Sequence, residues 1–188
     1  MVDADDTIVA IATASGPAAL ALIRVSGRRA FSVCDLVFRG RRPLASRRGW
    51  TLAHGHVVSA AGTPVDEVLA AVFRAPKSYT GEDMVELIGH GGPGAARAVL
   101  SALIGAGARL AEPGEFTRRA YVSGRLDLAQ AESVVDLIQA ATSRARIRHG
   151  SPGRRLEPAD PGSHRANASG ASGRRGIPGF SGATAGGL

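Results

Sequence analysis

The chain has 188 residues, 23 basic and 16 acidic, for a formal net charge of +7. That length suits one domain with an appendage and a core that needs no disulfide or metal staple; a single cysteine, Cys34, excludes an internal disulfide and a multi-cysteine zinc site. The acidic start Met1-Val2-Asp3-Ala4-Asp5-Asp6 is unlike a secretory n-region, and no run of about 18 apolar residues offers a membrane span, so a cytoplasmic location is expected.

In chain order, the β-branched run over residues 7–13 predicts a strand. A small-residue loop, Ala14-Ser15-Gly16-Pro17, leads to a second strand over 20–25. Residues 28–38 predict a helix, with Ala30, Phe31, Cys34, Leu36, Val37 and Phe38 at helical spacing. Cys34 on that stripe reads as a small core residue rather than a nucleophile. Arg39-Gly40-Arg41-Arg42-Pro43 reads as a basic loop. Residues 50–58 alternate as a strand with Leu52, His54, His56 and Val58 on one side, and 65–73 form its hairpin partner. His54 and His56 fit a half-exposed strand better than a metal site, since no acidic or cysteine partner is near them in sequence.

A polar loop over 76–83 precedes a short apolar strand at 84–88, interrupted by Glu86. Pro93 opens a helix to Ile104, with Ala96, Val99, Leu100, Leu103 and Ile104 expected inward. Arg109-Leu110-Ala111 is strand-like, and Pro113-Gly114 turns into a helix from Glu115. Asp127-Leu128-Ala129-Gln130 has the pattern of a capping box. The helix it opens carries Leu128, Ala131, Val134, Val135, Ile138 and Ala141 on one stripe. Strands and helices mixed with hairpin and crossover connections predict an α+β domain with a mixed sheet and packed helices.

The charge is unevenly placed. Residues 1–143 carry 15 basic and 14 acidic groups, whereas 144–188 carry eight arginines against Glu157 and Asp160. Of those last 45 residues, 34 are Gly, Ser, Pro, Ala or Arg, which leaves too little apolar area to offset chain ordering. The tail is expected to be disordered. It reads either as an Arg/Gly-rich nucleic-acid arm or as the product of a frameshift in GC-rich DNA.

Gly89-His90-Gly91-Gly92-Pro93-Gly94 matches G-x-G-x-x-G between a strand and a helix, as in dinucleotide-binding turns. Pro93 removes one amide from such a site, and a tight strand-to-helix turn is the simpler reading. No G-x-x-x-x-G-K-[ST] phosphate loop occurs, and the one lysine, Lys77, follows Pro76. Three charged residues interrupt apolar or small-residue context: Arg24, Glu86 and Arg125. A charge on an apolar strand needs a partner. Physics alone leaves two readings open, an internal salt bridge of Glu86 with Arg24 or Arg125, and a ligand site.

Several ordered motifs carry a resemblance. They are Asp6-Thr7-Ile8-Val9-Ala10, Leu22-Ile23-Arg24-Val25-Ser26-Gly27 and Ser78-Tyr79-Thr80-Gly81-Glu82-Asp83. Glu86-Leu87 and His90-Gly91-Gly92-Pro93 follow, then Pro113-Gly114-Glu115-Phe116-Thr117-Arg118-Arg119-Ala120 and Gly124-Arg125-Leu126-Asp127-Leu128-Ala129-Gln130-Ala131-Glu132. Over about residues 4–143 the chain resembles the N-terminal domain of the bacterial tRNA-modification GTPases of the MnmE/TrmE family. The resemblance implies a fold similar to tetrahydrofolate-binding, aminomethyltransferase-like domains over 1–125. It also implies the start of a helical domain over 126–143, and homodimerisation. The implied one-carbon donor is 5-formyltetrahydrofolate or 5,10-methylenetetrahydrofolate, contacted by Arg24, Glu86 and Arg125. The family usually has Lys at the position of Arg125, which keeps the charge and changes the donor geometry. The full-length family also uses GTP, potassium and magnesium, a flavoprotein partner, and tRNA, whose wobble uridine it modifies at C5. This chain has neither a phosphate loop nor the family's late catalytic cysteine, since Cys34 sits too early. Alone it is expected neither to hydrolyse GTP nor to complete the modification.

Overall fold

A computed structural model describes residues 6–14, 16 and 18–137 of the chain. The expectations for the 144–188 tail, and for the helical stripe from Ile138 onward, lie outside the described residues.

The elements in order are β1 (Ile8–Ile11), β2 (Leu20–Ser26), α1 (Ala30–Val37), β3 (Phe38–Gly40), a 3-10 turn (Leu44–Ser46), β4 (Thr51–Val58) and β5 (Pro64–Phe73). They continue with β6 (Met84–His90), α2 (Pro93–Gly105), β7 (Arg109–Leu110) and α3 (Glu115–Val122), and a helix α4 over 128–137. The seven strands form one sheet in the order β3-β4-β5-β6-β2-β1-β7. Every pair is antiparallel except β1 with β7. The architecture is therefore the mixed α+β arrangement expected from the sequence.

One sheet face supplies the core. Val9, Ile23, Val25, Ala53, Val57, Val68, Val72, Val85 and Leu87 are buried there, with Phe31 and Cys34 of α1 and Val99 and Leu103 of α2 in the same cluster. Cys34 is fully buried, and burial first, then the neighbouring Asp35 charge, pushes its thiol far above the usual range. It is a core residue, as expected. The other face is open along its upper rows, where Leu20, Leu52 and Leu69 are exposed.

Several details depart from the sequence reading. In α1 the buried stripe takes Val33 and leaves Leu36 exposed, and in α2 Ile104 points outward. The inner side of β4 is Ala53, Gly55 and Val57; Val58 is buried as well because the register shifts between Val57 and Val58. Arg39 and Gly40, read as loop, pair with His56 and Gly55 as part of β3. The glycine motif is partly strand, since Gly89 and His90 pair with Ala21 and Leu20. A Cβ on Gly89 would lie 2.3 Å from Asp66 Oδ2, and one on Gly91 would lie 2.2 Å from the Ala18 carbonyl oxygen. Close packing within an antiparallel sheet accounts for both glycines. The capping box at Asp127 is present in both directions: Gln130 N–H donates to Asp127 Oδ1 at 2.8 Å, and Asp127 N–H to Gln130 Oε1 at 3.0 Å.

An ion cluster fastens the lower end of the open face. Glu115, at the first turn of α3, has no exposed side-chain area. Arg109 donates to it at 2.8 and 3.2 Å, the Glu112 N–H at 2.8 Å and Arg119 at 3.0 Å. Arg109 also bonds Asp6 at 2.7 Å. Arg119 reaches the Asp6 carbonyl at 3.0 Å and Glu82 at 3.2 Å. Glu82 in turn accepts from Ser26 at 2.7 Å. Burial would raise the Glu115 carboxyl, but the hydrogen bonds from Arg109, the Glu112 amide and Arg119 outweigh it and hold the group at about 2, against 4.5 ordinarily.

Two outcomes follow for stability. A folded pKa below the unfolded one means that the unfolded chain takes up the proton first, so this contribution is complete above 4.5 and is lost as pH falls toward 2. Thermal melts of Glu115→Gln should show a loss of about 3 kcal/mol at neutral pH, because Arg109 and Arg119 lose the buried carboxylate they share and keep only Asp6 and Glu82. The variant should also show a shallower acid limb than wild type; parallel pH profiles would refute the assignment. Gly91→Ala should cost about 1–3 kcal/mol by forcing backbone apart, and an unchanged melting temperature would contradict the close contact.

Candidate functional site

Arg24 on β2 and Glu86 on β6 stand directly opposite each other in the antiparallel register. Alternation along both strands puts them on the open face, in the same cross-strand row as the exposed Leu52. Arg24 Nε donates to Glu86 Oε1 at 2.8 Å, and Nη2 lies 2.7 Å from the same oxygen. Both side chains are largely covered, 23% and 14% exposed, so the charges stay paired in a partly dry setting. The guanidinium lies over two rings, 4.8 Å from the centre of Tyr79 and 5.6 Å from that of Phe116. Tyr79 is fixed in turn by its hydroxyl, 3.0 Å from Thr117 Oγ1.

Glu86 Oε2 has no hydrogen-bond partner among the described residues. The carboxylate is thus held by one oxygen and free at the other. Glu86 also lines a cavity of about 570 Å³, walled by Trp50, Phe73, Tyr79, Met84 and Arg125. That size is ordinary for a small-molecule site. Two other cavities, about 370 Å³ beside the glycine turn and about 530 Å³ between the α1–α2 pair and the β4–β5 hairpin, have neither a carboxylate nor an aromatic ring in their walls.

Arg125 follows α3 on a tight turn, with its N–H donating to the Ala120 carbonyl at 2.8 Å. Its side chain is exposed and makes no hydrogen bond or ion pair among the described residues. Lys77, in the same cavity wall, is likewise unpaired there. The structure therefore brings Glu86 and Arg125 to one cavity and places Arg24 behind Glu86 as its anchor. The sequence left an ion pair and a ligand site as alternatives. The pair is present, to Arg24 and not to Arg125, and it leaves an acceptor exposed to the cavity.

Trp50, read from sequence as the start of a strand, is the one non-glycine residue with positive φ among the described residues, at 62°. A bulky residue in that region carries strain on the order of 1–3 kcal/mol. Its N–H donates to the Val72 carbonyl at 2.7 Å, its ring meets Phe73 edge-on with centres 5.1 Å apart, and the residue stays 70% exposed. Nothing in the sequence signalled this conformation beyond Gly49 before it. The Glu115 cluster also went unnoticed, although Glu115 and Arg119 stand one helical turn apart.

On β4 and β5, His54 and Glu67 are exposed and joined at 2.5 Å, while His56 sits 5.9 Å from the His54 ring. Among the described residues no group of three or more His, Cys, Asp or Glu could hold a metal ion, and no helix is long and apolar enough to cross a membrane.

Comparison with known proteins gives the chain its relations. The family described as GTP-binding protein TrmE N-terminus matches residues 7–125. A tRNA modification GTPase MnmE of Symbiobacterium thermophilum is 56% identical over 143 residues, covering 75% of this chain and 31% of the relative. Proteins of the same name from Salinibacter ruber and Parabacteroides distasonis are 51% and 47% identical over 140 and 145 residues. Those matches cover 74% and 76% of this chain, and 30% and 31% of the relatives. The chain thus spans under a third of the length of these relatives. It belongs to the TrmE N-terminal family, the N-terminal region of the tRNA modification GTPases called MnmE.

Proposed function

We propose that this chain is the tetrahydrofolate-binding and dimerisation part of a GTPase that modifies C5 of the tRNA wobble uridine, with residues 1–125 forming the folate domain and 126–143 opening a helical one. The observation that carries the folate reading is the half-used carboxylate of Glu86. The 2-amino group and adjacent ring N–H of a reduced pterin form a two-donor edge, and a single carboxylate oxygen with two lone pairs can accept from both. Arg24 takes up one oxygen and fixes the plane, while the other remains for the ligand. Phe73, Tyr79 and Met84 supply apolar walls for the ring system. Arg125, unpaired and on the cavity wall, suits a carbonyl or carboxylate oxygen of a 5-formyl- or 5,10-methylenetetrahydrofolate. GTP, potassium, magnesium, tRNA and the flavoprotein partner belong in this reading to the remaining length of the family, in the cytoplasm.

The dimerisation reading rests on the open sheet face, where Leu20, Leu52 and Leu69 are 60%, 63% and 42% exposed, and on Leu128 and Val135 of α4, 57% and 43% exposed. Apolar rows of this kind suit a second copy of the same surface.

Calorimetric titration of the whole chain with 5-formyltetrahydrofolate should show binding. Glu86→Gln should weaken it by about tenfold or more, and Arg125→Ala by less because that side chain keeps contact with water. No heat from the folded wild-type protein would sink the folate assignment. Sedimentation should find a dimer; a monomer at every concentration up to the millimolar range would remove the second half of the reading.

A further inference from the structure

Trp50 is costly to the fold in two ways and repays neither within it. Its backbone sits at φ 62°, where an indole side chain is strained, and 70% of the residue is left in water. The hydrogen bond from its N–H to Val72 and the edge-on contact with Phe73 hold it in that unfavourable place. A strained, exposed aromatic at the rim of a cavity is placed for something that enters the cavity.

The register of the sheet says which part of a ligand it would meet. Thr51 pairs with Val72, so Trp50 stands beside Phe73, which pairs with Met84, two residues before Glu86. Trp50 is thus two strands across and two residues along from Glu86, about 12 Å between backbones at the usual sheet spacings. A pterin whose amidine edge sits on Glu86 does not fill that span. The next ring along the folate, the aminobenzoyl group, lies beyond the pterin and its short linker.

Resting on the folate reading above, we infer that Trp50 is the stacking surface for the aminobenzoyl ring. The cavity on this view is built for two-ring folates rather than for isolated pterins, with Glu86 reading the first ring and Trp50 the second. Stacking on an indole face suits this flat, electron-rich ring and needs no charge.

The test compares two probes, 5-formyltetrahydrofolate and 6-methyltetrahydropterin, which lacks the aminobenzoyl group. Trp50→Gly removes the ring and suits the left-handed backbone, so the fold should persist with an equal or higher melting temperature. Trp50→Phe keeps a stacking face. The full chain should bind the folate about tenfold less tightly as Trp50→Gly and within about threefold of wild type as Trp50→Phe. The pterin should bind wild type and Trp50→Gly alike. Trp50 is the only tryptophan in the chain, so its fluorescence should change on folate addition and much less with the pterin. If Trp50→Gly weakens both probes equally, or neither, the inference is wrong. It is also wrong if the variant changes the sedimentation coefficient while leaving folate affinity intact, since the ring then serves a subunit contact. Absence of folate binding by wild type is a different result, and sinks the functional reading beneath it.

Discussion

Glu115 is a carboxylate with no exposed side-chain area, and an ionised group in that setting must keep all its donors. Those donors lie within six residues of it, but Arg109 and Arg119 also bind distant parts of the chain. Arg109 lies on β7, whose pairing places it next to β1 and Asp6, and Arg119 lies one turn along α3 and also binds Glu82. None of these pieces can shift without exposing the others. Through Glu82 the cluster fixes the 78–83 loop that carries Tyr79, and through α3 it fixes Phe116. These two rings are the ones over which the Arg24 guanidinium lies. The orientation of Glu86 in the cavity therefore traces back, through Arg24 and two aromatic rings, to a single buried carboxylate.

The Arg24–Glu86 pair shows why a salt bridge and a ligand site are not competing descriptions. Both arginine nitrogens converge on Oε1, which leaves the geometry of the carboxylate fixed and half its acceptor capacity unused. A carboxylate gripped at both oxygens would have little left to offer a ligand, and one gripped at neither would have no set orientation. The same sheet register that makes the two residues neighbours also points them away from the packed core, toward the side where α3 and the 78–83 loop form walls.

Much of this was legible from residue pattern. Alternation and β-branching located the central strands, helical spacing located α1 and α2, the Pro113-Gly114 turn marked the start of α3, and Asp127 to Gln130 announced the start of α4, because these signals act within a few residues of chain. Arg24 and Glu86 were visible as charges out of place on apolar strands. What was hidden depends on contacts distant in sequence. Asp6 meets Arg109 across 103 positions and Glu82 meets Arg119 across 37, and it is these contacts that close over Glu115, otherwise an ordinary charge at a helix start. The outward turn of Leu36 and Ile104 is set by which helix faces meet the sheet, which spacing alone does not decide. The positive φ of Trp50 comes from the bend into β4 and its bond to Val72, and no composition rule flags a tryptophan there. The pairing of Phe38–Gly40 with β4 likewise overrode a run of residues that otherwise reads as a charged loop.

The two outermost strands are short. β3 has three residues and β7 has two, and each presents an arginine, Arg39 and Arg109. Unpaired amides along a long edge would invite another chain to add itself to the sheet, and brevity discourages such growth, with the Arg39 charge added at the β3 edge. Short edges thereby work against strand-by-strand growth of a seven-stranded sheet whose second face is partly open. Its encounters with other molecules are left to side chains on that broad surface, where shape and chemistry discriminate, rather than to backbone groups, which would accept almost any extended peptide.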